Sequence, residues 1–277
     1  MRGPAGTARG RRRGPDLTGV GAPVLWHSVA MRPVRQEIMW HAVLDAVAAT
    51  GRDDALRVLD LGGGTGGDAV RLATLGHRVT VADPSPDALA SLARRAAEAG
   101  VDGSSDGSVT GVLADTSDLA EHLSDAFFDL VLLHGVVEHV DDPAQALRAV
   151  VPVLAGGGVL SLVVANRSAA VLARALSGDF DGAATTLDTT AATWDLRTQG
   201  PRRFVPDELD ALLADAGLRV EQRLALRVFS DLVPSAVVDV EPGARERLWA
   251  LERRVRATSE FSGISGGLQW TARLDLG

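Results

Sequence analysis

From residue 56 to residue 165, short and almost wholly apolar runs alternate with stretches in which apolar residues return every third or fourth position. The runs predict strands and the stretches predict helices. "LRVLDL" (56–61) reads as a buried strand; a glycine-rich turn and a helix to about Leu75 follow. "RVTVAD" (78–83) is a second strand. Ser85 can cap the next helix with Pro86 at its first position, and Gly100 ends it. "VDGSSDGS" (101–108) is a flexible loop and "VTGVLAD" (109–115) a third strand. "FFDLVLLHG" (127–135) is a fourth, too apolar for a sheet with one wet face. Asp142 and Pro143 open a helix whose Ala144, Leu147, Val150 and Leu154 face inward, and "GVLSLVVA" (158–165) is a fifth strand. Ahead of these, a helix over about 32–50 places Val34, Ile38, Val43, Leu44 and Val47 near its apolar face. Strands separated by helices imply a parallel sheet with right-handed crossovers.

The pattern then changes. Residues 177–205 are rich in Gly, Thr and Asp with little periodicity, which predicts a long loop or a small lid. A helix over 206–216 follows, with Pro206 early and Gly217 after its end. Residues 218–230 are extended, 244–257 helical, and 268–276 alternate as a terminal strand. Two late strands complete a seven-stranded sheet.

Composition narrows the class. A chain of 277 residues suits one large domain, or one domain with an insertion. We expect a single domain over 21–277 and a disordered basic tail over 1–20, where Arg2, Arg9, Arg11, Arg12 and Arg13 stand among Gly and Pro. No apolar stretch follows the basic cluster closely enough for a secretory signal, and no run approaches the roughly 20 residues of a membrane helix. The chain has no cysteine, which excludes disulfides and thiolate metal sites and fits a reducing, cytoplasmic setting. A net charge of −8 gives no support to a large nucleic-acid footprint.

The candidate chemistry sits in "VLDLGGGTGG", Val58–Gly67. Glycines there let the backbone turn sharply and approach a ligand, with helix N–H groups aimed at negative charge. Gly62, Gly64 and Gly67 fit the dinucleotide fingerprint; Gly62, Gly64 and Gly66, preceded by Asp60, fit the pattern for S-adenosylmethionine. Asp83 ends the second strand, where a carboxylate accepts hydrogen bonds from both ribose hydroxyls of either ligand. Asp60 favours the methyl donor, because a negative group beside the turn suits an ammonium and repels a pyrophosphate. Asp115, with the Ala114 backbone beside it, can take an adenine amino group.

"VLDLGGGTG", "GHRVTVADPS", "DLVLLHGVVEHVDDP" and "GGVLSLVVAN" resemble the class I S-adenosylmethionine-dependent methyltransferases over about residues 30–275. "RQEIMW", "SGDFD", "LRVFSD" and "ALERRVR" point further, to a resemblance to the bacterial tRNA 5-carboxymethoxyuridine methyltransferases, which methylate the carboxylate of a modified wobble uridine. The resemblance implies a Rossmann-like seven-stranded sheet in the order 3-2-1-4-5-7-6, with helices on both faces and an antiparallel seventh strand. By position it implies that Arg35 reaches the donor's carboxylate, that Gly62 and Gly63 line the donor through their backbone, and that His134 lies beside it. Asp83 holds the ribose, and Asp115 with Ala114 the adenine. The sequence departs from the family at "AGGG" before the fifth strand, in "VLWHSVAMRP", in lacking tyrosine, and in the middle of 178–205. These departures touch the acceptor side.

A carboxylate acceptor is ionised at neutral pH and needs no general base. An arginine is its natural clamp, because a guanidinium matches a carboxylate with two parallel hydrogen bonds. Arg227 in "LRVFSD" and Arg167 after the fifth strand are the candidates, and Arg203, in the expected lid, can meet a phosphate. His134 would serve as base if the acceptor were a phenol or an amine. His134, Glu138 and His139 have no recognised zinc spacing, so no metal site is expected. Arg245, Arg247, Arg253, Arg254 and Arg256 crowd one late helix, diluted by Glu246 and Glu252; the face is either ion-paired and solvated or a tRNA contact. The rival acceptor is a natural-product acid or hydroxyl. An NAD-dependent oxidoreductase and a non-catalytic partner protein are weaker alternatives.

Overall fold

The computed structural model describes residues 33–103, 107–123, 126–190 and 193–274. The basic tail expected over 1–20 lies outside them. In chain order the elements begin with α1 (Val34–Ala49), β1 (Arg57–Leu61), α2 (Gly67–Thr74), β2 (Arg78–Asp83), α3 (Pro86–Ala99), β3 (Ser108–Leu113), α4 (Leu119–Leu123) and β4 (Phe128–His134). They continue with α5 (Pro143–Val150), β5 (Leu154–Ala165), α6 (Arg167–Leu176), α7 (Phe180–Asp188), α8 (Leu196–Gln199) and α9 (Pro206–Asp215). The last are β6 (Leu218–Leu226), α10 (Ser235–Val240), α11 (Ala244–Val255) and β7 (Gly267–Leu274).

One sheet of seven strands runs in the order β3-β2-β1-β4-β5-β7-β6, and β7 is antiparallel to both of its neighbours. Alternate residues of each strand serve opposite faces. Leu59 of β1 with Val131 and Leu133 of β4 join the core under α5 and α9; Val58 with Leu130 and Leu132 join the core under α1, α2 and α3. Both faces of β4 are therefore covered, which is why its sequence is apolar without alternation. Register sets the carboxyl edge. Leu61 pairs with Ala82, His134 with Val163, and Ala165 with Gly267, which in turn faces Leu226. The ends of these strands thus open onto one side.

The expected caps are present. Ser85 Oγ accepts from the Ala88 N–H at 3.2 Å and Asp142 Oδ1 from Gln145 at 2.9 Å. On α1 the buried face is Ile38, Trp40, Ala42, Val43 and Ala46, with the half-buried Val34, Leu44 and Val47 packed against the same cores, as expected. Two expectations need correction. Leu154 does not lie on a helix: Pro152 sits in a tight 3₁₀ turn over Val151–Val153, and Leu154 opens β5. The other correction concerns 177–205, which contains the helices α7 and α8. Asp179 caps α7 through the Gly182 N–H at 3.0 Å and pairs with Arg174 of α6 at 2.6 Å. Packing on α6 overrides the weak helix propensity of "FDGAATTLD".

Candidate functional site

Gly62, Gly64 and Gly66 all have positive φ, at 73°, 57° and 70°. A side chain at Gly66 would run into Leu92 of α3, one at Gly62 into Val136, and one at Gly63 into the Asp60 carboxyl group. Gly67 opens α2 with open space around it and needs no glycine. The triplet that geometry demands is therefore Gly62, Gly64 and Gly66, the spacing associated with S-adenosylmethionine.

The turn is fastened to β2. Asp83 is buried; its Oδ2 accepts from the Gly64 N–H at 2.9 Å and its Oδ1 from Ser85 at 2.9 Å. Each oxygen keeps a further lone pair for a hydroxyl. Asp60, one strand over, is also buried, yet it makes no hydrogen bond or ion pair with any described residue. Burial pushes its pKa up to about 7, and the negative charges of Asp68 and Asp83 add to the rise. A buried carboxyl without a cation, packed against the glycine turn, is a place for a positively charged ligand group.

Ala114 is buried just past the end of β3. Asp115 is exposed beside it; its Oδ1 accepts from both the backbone and the hydroxyl of Ser117 at 2.6 Å, bonds that hold its pKa below the usual range. Oδ2 accepts no hydrogen bond among the described residues. His134 ends β4, its Nε2 2.9 Å from Ser161 Oγ. Ser161 accepts in turn from Gln269 Nε2 at 3.1 Å, which also donates to the Ala42 carbonyl at 2.7 Å. Burial lowers the His134 pKa to about 4, so the ring is neutral at physiological pH.

The arginines are placed less simply. Arg35, on the first turn of α1, is exposed and pairs through Nε with Asp231 at 2.7 Å. Arg227 stands at φ 58°, where β6 stops. Its Nη2 donates to the Gly266 carbonyl at 3.0 Å, and its Nη1 lies 3.7 Å from Asp231. Arg167 is tied to Glu208 of α9 at 2.8 Å. Arg203 lines a cavity of about 430 Å³ beyond the ends of β5 and β7, together with Asn166, the alanines of α6 and Asp231. Sequence reading missed Asn166 and Asp231 as lining residues, although both fall inside quoted motifs, "VVAN" and "LRVFSD". It also took Glu252 for a diluted surface charge. Glu252 points inward, and its carboxylate accepts from the N–H groups of Val228, Phe229 and Ser230 at 2.7 to 3.0 Å.

Residues 59–162 match a family described as a methyltransferase domain. The chain is 35% identical over 198 residues, 72% of each protein, to the tRNA 5-carboxymethoxyuridine methyltransferase of Escherichia coli strain K12. The chain is a class I S-adenosylmethionine-dependent methyltransferase. That sets aside the oxidoreductase reading left open by Gly67. The methyltransferase is also 35% identical over 169 residues, 58% of each protein, to a ubiquinone biosynthesis O-methyltransferase of Caulobacter sp. strain K31. Its fold matches that of the N-methyltransferase NodS of Bradyrhizobium japonicum WM9, solved with S-adenosyl-L-homocysteine, at a TM-score of 0.52 and 17% identity over 88% of this chain and 89% of that one. No helix among the described residues of the methyltransferase is long and apolar enough to cross a membrane.

Proposed function

We propose that this methyltransferase esterifies the carboxylate of 5-carboxymethoxyuridine at the wobble position of tRNA. The carrying observation is the chemistry of the cavity wall. Its one lining carboxylate among the described residues, Asp231, is held between Arg35 and Arg227, and His134, at the end of β4, is too weak a base at about 4 to take a phenolic proton. Such a wall suits an acceptor that is ionised before it arrives. The similarity to the tRNA enzyme over 72% of both chains supports the same acceptor.

The bound donor supplies a methyl group on a positively charged sulfur; the carboxylate oxygen takes it as an ester, the sulfur leaves as a neutral thioether, and no proton changes hands. In this reading Asp83 holds the ribose hydroxyls with its remaining lone pairs. The backbone of Gly62, Gly63 and Gly64 lines the donor, and ionised Asp60 offsets its positive charge. Ala114 and Asp115 Oδ2 meet the adenine. Arg35 keeps Nη1 and Nη2 available for the donor's carboxylate while Nε stays on Asp231. Neutral His134 at the end of β4 puts no positive charge beside the sulfonium.

Nucleoside mass spectrometry of tRNA from a deletion strain tests the acceptor. Loss of the wobble methyl ester, with accumulation of the free acid, is expected. An unaltered ester level discards the tRNA acceptor. It leaves a small-molecule O-methyltransferase, a reading supported by the similarity to the ubiquinone enzyme.

A further inference from the structure

The cavity beyond β5 and β7 sits two strands from the glycine turn on the same carboxyl edge, since β4 and then β5 follow β1 in the sheet. Its wall on α6 is Ala169, Ala170 and Ala173, a surface almost free of protruding side chains. Of the arginines considered as clamps, Arg167 is committed to Glu208, and Arg227 to Gly266 and Asp231. Arg174, also on the wall, is paired with Asp179 at 2.6 Å. Arg203 differs. It is exposed and makes no side-chain hydrogen bond or ion pair among the described residues.

Its backbone is nevertheless fixed on both sides. The Arg202 N–H donates to the Glu138 carbonyl at 2.8 Å, and the Phe204 N–H to Ala165 at 3.0 Å. The Arg167 N–H donates to the Phe204 carbonyl at 2.9 Å, and Phe204 is buried. A cation without a partner among the described residues is thus held by fixed backbone at the wall of a chamber whose one described carboxylate is already matched by two arginines. Among the described residues the chamber therefore carries an excess of positive charge, in a chain whose net charge is −8.

We infer that this cavity binds a planar ring bearing a short carboxylate arm, with the ring against the α6 alanines and the carboxylate on Arg203, which makes Arg203 the specificity-determining residue for an anionic acceptor. The volume suits one ring with its arm. The inference shares with the proposed function only the claim that the acceptor is a carboxylate.

Phenoxyacetate and its uncharged amide, phenoxyacetamide, separate the two claims, because they carry the acid arm without the nucleoside. Binding of each to the full chain saturated with S-adenosylhomocysteine is followed by NMR titration. The parent protein is expected to prefer the acid. Arg203→Gln should reduce acid affinity about tenfold or more and leave the amide unchanged, as loss of a charge-assisted hydrogen bond implies. Arg203→Lys should recover part of the preference, and affinity for S-adenosylhomocysteine should stay at the parent value in both variants. Equal acid binding by Arg203→Gln, no acid preference in the parent, or loss of S-adenosylhomocysteine binding in either variant overturns the inference. An Arg203-dependent acid preference alongside an unaltered wobble ester in the deletion strain keeps the chamber assignment and removes the tRNA acceptor.

Discussion

At the scale of single residues, the glycine turn and Asp83 beside it were legible in the sequence and the partners of the arginines were not, for a physical reason. Gly62, Gly64 and Gly66 are required by backbone angles, and Asp83 by the end of a strand. Both are local constraints that leave marks in adjacent sequence. Whether an arginine is committed depends on partners far along the chain. Sequence gave no sign that Arg167 meets Glu208, or that Arg35 and Arg227 share Asp231. Asp60 yields the sharpest residue-level test. Its pKa near 7 means that a cationic ligand binds best once the carboxyl is ionised. Affinity for S-adenosylmethionine is therefore expected to rise as pH increases through 7, by up to about tenfold per unit below it. Asp60→Asn should flatten that dependence and weaken binding at pH 8. Calorimetry across pH 6 to 8 checks it, and a parental slope in the variant would refute the role.

At the scale of elements, the βα alternation as far as β5 was readable because β1 and β4 are covered on both faces and the helices beside them keep their apolar periodicity. Residues 177–205 failed this test. Thr185 and Thr186 of α7 return their hydroxyls to carbonyls one turn back, and the helix depends on α6 and the Asp179 cap rather than on propensity. The loop after β6 shows the same dependence on distant support. It leaves the strand through Arg227 in a left-handed conformation and is gathered by Glu252 from α11. Glu252→Ala leaves three backbone N–H groups without that acceptor and is expected to cost about 2–4 kcal/mol. Urea denaturation measures this, and a cost below about 0.5 kcal/mol would show that the loop holds itself.

At the scale of the whole molecule, the two strongly shifted groups act on stability with opposite sign. Asp60 binds its proton more tightly folded than unfolded, so its contribution falls as pH rises from its ordinary 3.8 towards 7. His134 binds its proton less tightly folded, so its contribution is lost as pH falls from 6.5 towards 4. Each slope is about 1.4 kcal/mol per unit within its window, and the two oppose each other between about pH 4 and 6.5. Asp60→Asn removes one of them, so the variant's unfolding free energy should climb more steeply with pH than the parent's over that range. Denaturant titrations at pH 4.5, 5.5 and 6.5 decide it, and parallel profiles would contradict the assigned shift. The basic helix α11 is balanced in part. Its Arg245 pairs with Asp239 and its Arg247 with Glu241, and Arg256, which follows the helix, pairs with Asp45.

In the proposed assignment every residue on the donor precedes Asn166, and every described residue lining the cavity is Asn166 or comes after it. On that assignment the polypeptide divides at a single peptide junction into a part that handles the common reagent and a part that selects what is modified. A recombinant joined at that junction should then inherit its chemistry from one parent and its choice of client from the other.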